Sequence, residues 1–418
     1  MPQTSLPRVS LTFGLALAAA GCGHPARQSL DAAVASGATA RAASAERWVV
    51  GLTSWPDSAA RSSLMARVGV RVVRELPAVR MLIVEPLGAT SAGLAGMARQ
   101  PEIAFAGPDR LPSRERPEAV RAEARPATAV NGDDPYRRAQ WYLSTMGLPR
   151  VWGSGKVTRT VRVAVVDSGV DAAHVDLKGV VESGYNAIAP GAGTGDANGH
   201  GTMCAGLIAA VGGNGYGIHG AAPNARIVPV KVGDTVSSLV DGLTWAASNA
   251  DVVTMSLSVK PTMSEYPIAL DATKRAAAVV VGKGVPMVCS MGNTGDESRN
   301  VPAAFAGNEV GALIAVAATT KGDAWAPFST FGAWCSVAAP GDTVVTTAIG
   351  NQYMYARGTS FATPLVAATV ALMLGAGLPR DPASVKRRLM ATAADVEGAG
   401  VDPRTGAGRV DAGRAVLE

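Results

Sequence analysis

Val163-Ala164-Val165-Val166-Asp167-Ser168-Gly169 closes an apolar run that begins at Val161 and stops on a carboxylate, a hydroxyl and a glycine. A short apolar run bounded by turn residues reads as a strand buried on both faces, which implies a parallel sheet covered by helices. Arg226–Val232, Val252–Met255, Pro286–Cys289 and Leu313–Ala317 repeat the pattern. Between them His200–Val211, Val236–Ser248 and Ser264–Lys283 have helical length, as does Phe361–Leu374 further on. Strands alternating with such helices predict a three-layer α/β domain. Asp167 then falls just past the carboxyl end of a strand, where open α/β sheets place their chemistry.

Two further segments supply partners for that carboxylate. Gly199-His200-Gly201-Thr202 sets an imidazole between small residues at a helix start, and Gly358-Thr359-Ser360-Phe361-Ala362-Thr363-Pro364 does the same for a hydroxyl. A carboxylate accepting the Nδ1 proton of His200 fixes its tautomer, and the imidazole can then draw a proton from Ser360. Each residue alone has a plainer reading. Asp167 could be a turn aspartate, His200 a structural histidine, and Ser360 an ordinary N-cap with Pro364 in the first turn. Three such motifs in one chain outweigh those readings. Of the four histidines, His24 lies in a polar spacer, and His174 and His219 carry no comparable motif. A fourth segment, Ser290-Met291-Gly292-Asn293-Thr294-Gly295, follows a strand and holds an asparagine whose NH2 could face a developing oxyanion opposite the Ser360 amide.

These motifs, in the order Asp, His, Ser, resemble the subtilisin-like serine proteases over about residues 135–418. Gly220-Ala221-Ala222-Pro223, Phe328-Ser329-Thr330-Phe331-Gly332, Ala339-Pro340-Gly341 and Leu389-Met390-Ala391-Thr392-Ala393 followed by Gly406-Ala407-Gly408 extend the likeness. The resemblance implies a mostly parallel seven-stranded sheet, a triad of Asp167, His200 and Ser360, and an oxyanion hole of Asn293 and Ser360. It places substrate along Met255-Ser256-Leu257-Ser258. It departs from the family at Ser258, usually Gly, and at Met291, commonly Ala; both add bulk expected near the substrate channel. No cofactor is implied for the chemistry. Many relatives bind structural calcium, and Asp133, Asp134, Asp171 and Asp176 could supply oxygens, although they form no spaced loop of ligands.

The first 134 residues read as segments with other tasks. Arg8, the apolar stretch Leu11–Ala20 and Ala19-Ala20-Gly21-Cys22 predict a signal over residues 1–21. The last four resemble a bacterial lipoprotein box, which would place a lipid on Cys22 and the protein in the cell envelope; an ordinary secretory cut leaves it secreted. Residues 22–45 form a spacer. Residues 46–110 order as strand Trp48–Leu52, helix Ala59–Arg67, strands Val70–Val73 and Arg80–Val84, helix Ala89–Arg99 and strand Ile103–Ala106, a small ferredoxin-like α+β domain. By the same resemblance it is an inhibitory propeptide, removed by self-cleavage within 111–134. That Arg-, Glu-, Pro- and Ala-rich segment reads as a linker that does not pack.

Charge excludes one class of partner. The net charge is +5, yet residues 1–125 hold 15 Lys/Arg against 10 Asp/Glu while residues 126–418 hold 23 of each. The motif-bearing part is neutral, with no basic stripe for nucleic acid. Of four cysteines, Cys289 and Cys335 lie in strand-like text and are read as a disulfide, and Cys204 as a small buried hydrophobe. The expected function is peptide hydrolysis. The alternatives are a catalytically inactive binding protein of the same fold, and an esterase, which lacks a Gly-x-Ser-x-Gly elbow here.

Overall fold

The structure, a computed structural model, describes residues 47–87, 97, 99–111, 118–123, 133–259 and 267–418. The signal, Cys22, the spacer and most of the helix expected over Ala89–Arg99 lie outside the described residues.

Among the described residues the first elements are β1 (Trp48–Leu52), α1 (Ser58–Arg67), β2 (Val70–Leu76), β3 (Met81–Pro86), β4 (Ile103–Pro108) and β5 (Glu118–Glu123). Two short helices follow, α2 (Trp141–Thr145) and α3 (Leu148–Trp152). The central succession is β6 (Val161–Asp167), β7 (Tyr185–Asn186), α4 (His200–Ala209), β8 (Ala225–Lys231), α5 (Val236–Asn249), β9 (Val252–Met255), α6 (Pro267–Gly282), β10 (Met287–Ser290), β11 (Ile314–Thr319) and β12 (Val337–Pro340). A hairpin of β13 (Val344–Ala348) and β14 (Gln352–Arg357) leads into α7 (Thr359–Gly375), with α8 (Pro382–Thr392) and α9 (Ala412–Leu417) at the end.

Seven strands in the order β12-β11-β10-β9-β6-β8-β7 form one sheet, and every pairing within it is parallel. The two-residue period of a strand assigns its side chains to alternate faces. On β6, Val161, Val163 and Val165 pack with α4 and α7, whereas Ala164 and Val166 pack with α5 and α6. That is the expected three-layer domain. Because β6 is flanked by β8 and β9, the carboxyl end that bears Asp167 opens at the middle of the sheet edge.

A second, antiparallel sheet in the order β2-β3-β1-β4 is built from the N-terminal strands. One of its faces, with Trp48, Val50, Leu82 and Val84, covers the inner side of α1. The other, with Val49, Met81, Ile83 and Phe105, joins the apolar layer of α5 and α6.

Two expectations are corrected. The segment read as a non-packing linker contains β5, which pairs antiparallel with β14 from Tyr353↔Glu123 to Arg357↔Glu118. Its propensity is poor; what makes it a strand is the open backbone edge of β14. Cys289 and Cys335 are free, buried thiols and not a disulfide. Cys289 pairs with Ala315 on β11, whose carbonyl receives the Ser336 N–H on the far side, so a whole strand separates the two cysteines. Two strand spacings are about 10 Å, beyond the ~7 Å that a disulfide spans between Cα atoms.

Candidate active site

Asp167 ends β6 and is buried, with its Oδ1 accepting the Ser168 N–H at 2.7 Å. His200 opens α4 and brings Nδ1 to 2.8 Å from both carboxylate oxygens. An Nδ1–H held by an anion makes Nε2 the basic nitrogen of the neutral ring. The close approach depends on a missing side chain. A Cβ on Gly201 would lie 2.0 Å from the Gly169 carbonyl oxygen and 3.1 Å from the Asp167 Cβ. Gly201→Ala is therefore expected to push His200 off Asp167 and lower kcat by roughly 10²-fold, the cost of a displacement near 1 Å at a reacting group. Peptide turnover on a variant checked for folding by circular dichroism measures it; an unchanged kcat would contradict this account.

The start of α4 is organised by Asp196. Its Oδ1 accepts the N–H groups of Asn198 and Gly199, both at 2.9 Å, and its Oδ2 accepts from Thr202 N at 3.0 Å and Thr202 Oγ1 at 2.7 Å. Of these, the Gly199 and Thr202 N–H groups are donors that a helix start leaves unsatisfied. Sequence reading missed this residue, although an Asp just before a helix is a recognisable capping signal.

Ser360 is the second residue of α7, entered from Gly358 at φ 151°. Its hydroxyl donates to the Ser256 carbonyl at 3.2 Å. Its own carbonyl accepts from Ser256 Oγ at 2.9 Å and from the Cys204 thiol at 3.6 Å. The sulfur of Cys204 lies within 4.8 Å of the Asp167 carboxylate and the His200 ring. The ring of Phe361, next to Ser360, is centred 5.9 Å from that of His200. The structure thus gathers Asp167, His200 and Ser360 at one place on the sheet edge.

Asn293 reaches the same place. Its Oδ1 accepts from Thr359 N at 2.8 Å and Thr359 Oγ1 at 3.1 Å, which fixes the amide beside the Ser360 helix with Nδ2 as its donor end. Met255-Ser256-Leu257-Ser258 continues from β9 past Ser360, and Val259 then pairs with Val301. Ser258 is buried beside this path. Met291 is fully buried in the apolar layer shared with α5 and α6, so its bulk is spent in the core and not in a channel.

His174 and His219 lie elsewhere. His174 Nε2 meets the Gln352 carbonyl at 3.1 Å and His219 Nδ1 the Gly220 carbonyl at 2.8 Å.

The four aspartates considered for calcium do not converge. Asp133 is exposed, and Asp171 binds the N–H groups of Ala173 and Gly350. Asp134 and Asp176 face one loop, where Asp134 accepts from Gly213 N and Gly215 N and Asp176 from Asn214 Nδ2 and Ile218 N. Burial pushes the Asp176 carboxyl up despite those bonds. Each oxygen of the pair already accepts an N–H, and among the described residues no third carboxylate gathers with them into the roughly six to eight oxygens that calcium takes.

Residues 158–408 match the sequence model of the Subtilase family. The chain is 34% identical over 294 residues to thermitase of Thermoactinomyces vulgaris, covering 68% of this chain and 98% of thermitase. It is 35% identical over 255 residues to a thermophilic serine proteinase of Bacillus sp. (strain AK1), spanning 60% of each. A match to the minor extracellular protease Epr of Bacillus subtilis (strain 168) spans 41% of that protein. Among solved structures, fervidolysin from Fervidobacterium pennivorans, a keratinolytic enzyme related to subtilisin, superposes with a TM-score of 0.70 at 26% identity, over 89% of this chain and 61% of fervidolysin. With residues 158–408 inside the family model, and Asp167, His200 and Ser360 brought together from three separate elements, the chain belongs to the subtilase family.

Proposed function

We propose that this protein is a serine endopeptidase that hydrolyses peptide bonds through an acyl-enzyme and is made as a self-processing zymogen. The observation that carries the reading is the buried Asp167 carboxylate holding His200 Nδ1 at 2.8 Å beside the helix that bears Ser360. A fluorophosphonate probe tests it directly. Labelling of Ser360 together with casein cleavage is expected, and a folded, processed chain that does neither would overturn the proposal.

Ser360 Oγ turns from the Ser256 carbonyl to attack the scissile carbon while His200 Nε2 takes its proton. Asp167 stabilises the imidazolium that forms. The oxyanion is held by Asn293 Nδ2 and the Ser360 N–H, a helix-start amide with no partner inside α7. His200 then protonates the leaving amine, and water repeats the sequence to free the acid. Substrate lies extended along Met255–Ser258. An esterase would use the same groups, and extended backbone pairing favours peptides.

The β1–β4 unit with α1 is proposed as the ferredoxin-like inhibitory propeptide, on residues 46–110, with maturation inside 111–134. Its support is the contact with the catalytic domain. Arg74 donates to Tyr185 Oη at 2.7 Å and to Asp241 Oδ2 at 2.6 Å. Arg275 donates to the carbonyls of Leu52 and Val79, and Leu111 N–H to the Asp234 carbonyl. Asp109 accepts from the N–H of Ser237, at the start of α5, at 2.8 Å and from its hydroxyl at 2.5 Å.

Burial pushes the Asp109 carboxyl up although the Ser237 bonds oppose the shift. The docked state therefore holds the proton more tightly than the released one. The contribution of Asp109 to docking is full below the ordinary carboxylate range and is lost as pH rises through its raised value. Full-length chain should activate faster at pH 7 than at pH 4.5, by a ratio that shrinks in Asp109→Asn. Activation timed by gel and activity checks this, and an identical ratio in the variant would refute it.

For export, a lipid on Cys22 in a bacterial envelope and ordinary secretion remain the two proposed ends. Among the described residues no helix is long and apolar enough to cross a membrane. Intact-mass analysis of the N-terminal fragment separates a lipidated from an unmodified Cys22.

A further inference from the structure

In an α-helix the carbonyl of Ser360 would accept the N–H of the residue four positions on, but that residue is Pro364, which has none. The carbonyl is buried, and its donors come from two other elements. Ser256 Oγ reaches it at 2.9 Å from the segment after β9, and Cys204 Sγ at 3.6 Å from α4. Ser256 and Ser360 are bonded reciprocally, since the Ser360 hydroxyl donates back to the Ser256 carbonyl at 3.2 Å. Cys204 stands four residues after His200, on the same face of α4.

We propose that Cys204 and Ser256 are positioning residues for hydrolysis, which replace the hydrogen bond removed by Pro364 and so fix the Ser360 backbone relative to His200 and the substrate strand. This rests on the reading of Ser360 as nucleophile. Holding the carbonyl fixes the rotation of the Ser360–Phe361 peptide. With Asn293 holding Thr359 on the other side, the directions of Oγ and of the oxyanion-facing N–H are then set. The Cys204 bond does more, because it ties the helix carrying the base to the helix carrying the nucleophile. Burial pushes the Cys204 thiol well above its usual range, so it remains a donor throughout the working pH range.

A donor role and a packing role predict opposite rankings. Cys204→Val keeps bulk and loses the donor, whereas Cys204→Ser keeps a donor and loses bulk. With an extended peptide substrate, Cys204→Val is expected to lower kcat about 2- to 10-fold, the worth of one hydrogen bond, with KM nearly unchanged. Cys204→Ser should recover most of that loss, and Ser256→Ala should behave like Cys204→Val. Pro364→Ala returns an N–H to the position facing the carbonyl. In that background Cys204→Val should cost less than twofold, a coupling that a double-mutant cycle reads. Melting temperatures are taken for all variants.

Valine outperforming serine, a loss seen in KM instead of kcat, or equal losses in both backgrounds would each overturn the proposal. The valine–serine ranking decides even if the Pro364→Ala chain does not fold. If the parent hydrolyses peptides and only the ranking fails, the positioning role alone falls. A parent that neither hydrolyses nor reacts with fluorophosphonate removes the protease reading and this role together.

Discussion

Ser360→Ala is expected to lower kcat for peptide hydrolysis by roughly 10⁶-fold, the size of loss seen when a triad nucleophile is removed. The substitution deletes one oxygen from a fully packed helix. That oxygen's bond to the Ser256 carbonyl, at 3.2 Å, contributes about 1 kcal/mol at most, so the domain should melt within a few degrees of the parent. The same variant should accumulate uncut, with residues 46–110 still joined to the catalytic domain, because no nucleophile remains to process it. Turnover of casein, gel mobility and a melting curve measure the three together. Processing at the parent's rate in purified variant would show that another protease performs the cut.

Asp167→Asn is expected to cost roughly 10⁴-fold in kcat with little change in KM. The amide is nearly the shape of the carboxylate it replaces. Ser168 N–H donates to Oδ1 at 2.7 Å and would keep an oxygen on that side, so His200 Nδ1, 2.8 Å from both positions, would meet an NH2 in place of one of its two carboxylate oxygens. That N–H to N–H opposition shifts the ring toward the tautomer protonated on Nε2, the nitrogen that must accept a proton from Ser360. The anion that stabilised the imidazolium is gone as well. Single-turnover kinetics with a chromogenic peptide separate this chemical defect from substrate binding; a loss confined to KM would contradict the assigned role.

The parts legible in the sequence were those whose physics is local or repeated. Val252–Met255 is a strand at the residues read for it, and the ends of β6, β8 and α5 fall within one residue of expectation, because apolar runs of this kind have one way to be buried. Asp167, His200, Asn293 and Ser360 stood out because small residues flank each at an element boundary. What escaped depends on neighbours that the text does not name. Glu118–Glu123 has no strand-forming pattern and is a strand only through β14. Cys289 and Cys335 both lie in strand-like text, which is silent about β11 between them. Met291 and Cys204 looked like channel and core residues respectively. Burial reverses the first, and the missing amide of Pro364 gives the second a polar partner.

All residues of α7, from Thr359 to Gly375, are buried, and the helix runs through the centre of the domain with the hydroxyl at its tip. A nucleophile mounted on the innermost rod of a molecule cannot be loosened by surface fraying, which reaches only the weakly protected periphery. Warming should therefore leave the cutting machinery intact until the whole core melts, with no dormant, half-open form along the way. If the proposed self-processing holds, that cooperativity would also limit self-digestion, because only a fully unfolded copy would present extended chain to be cut.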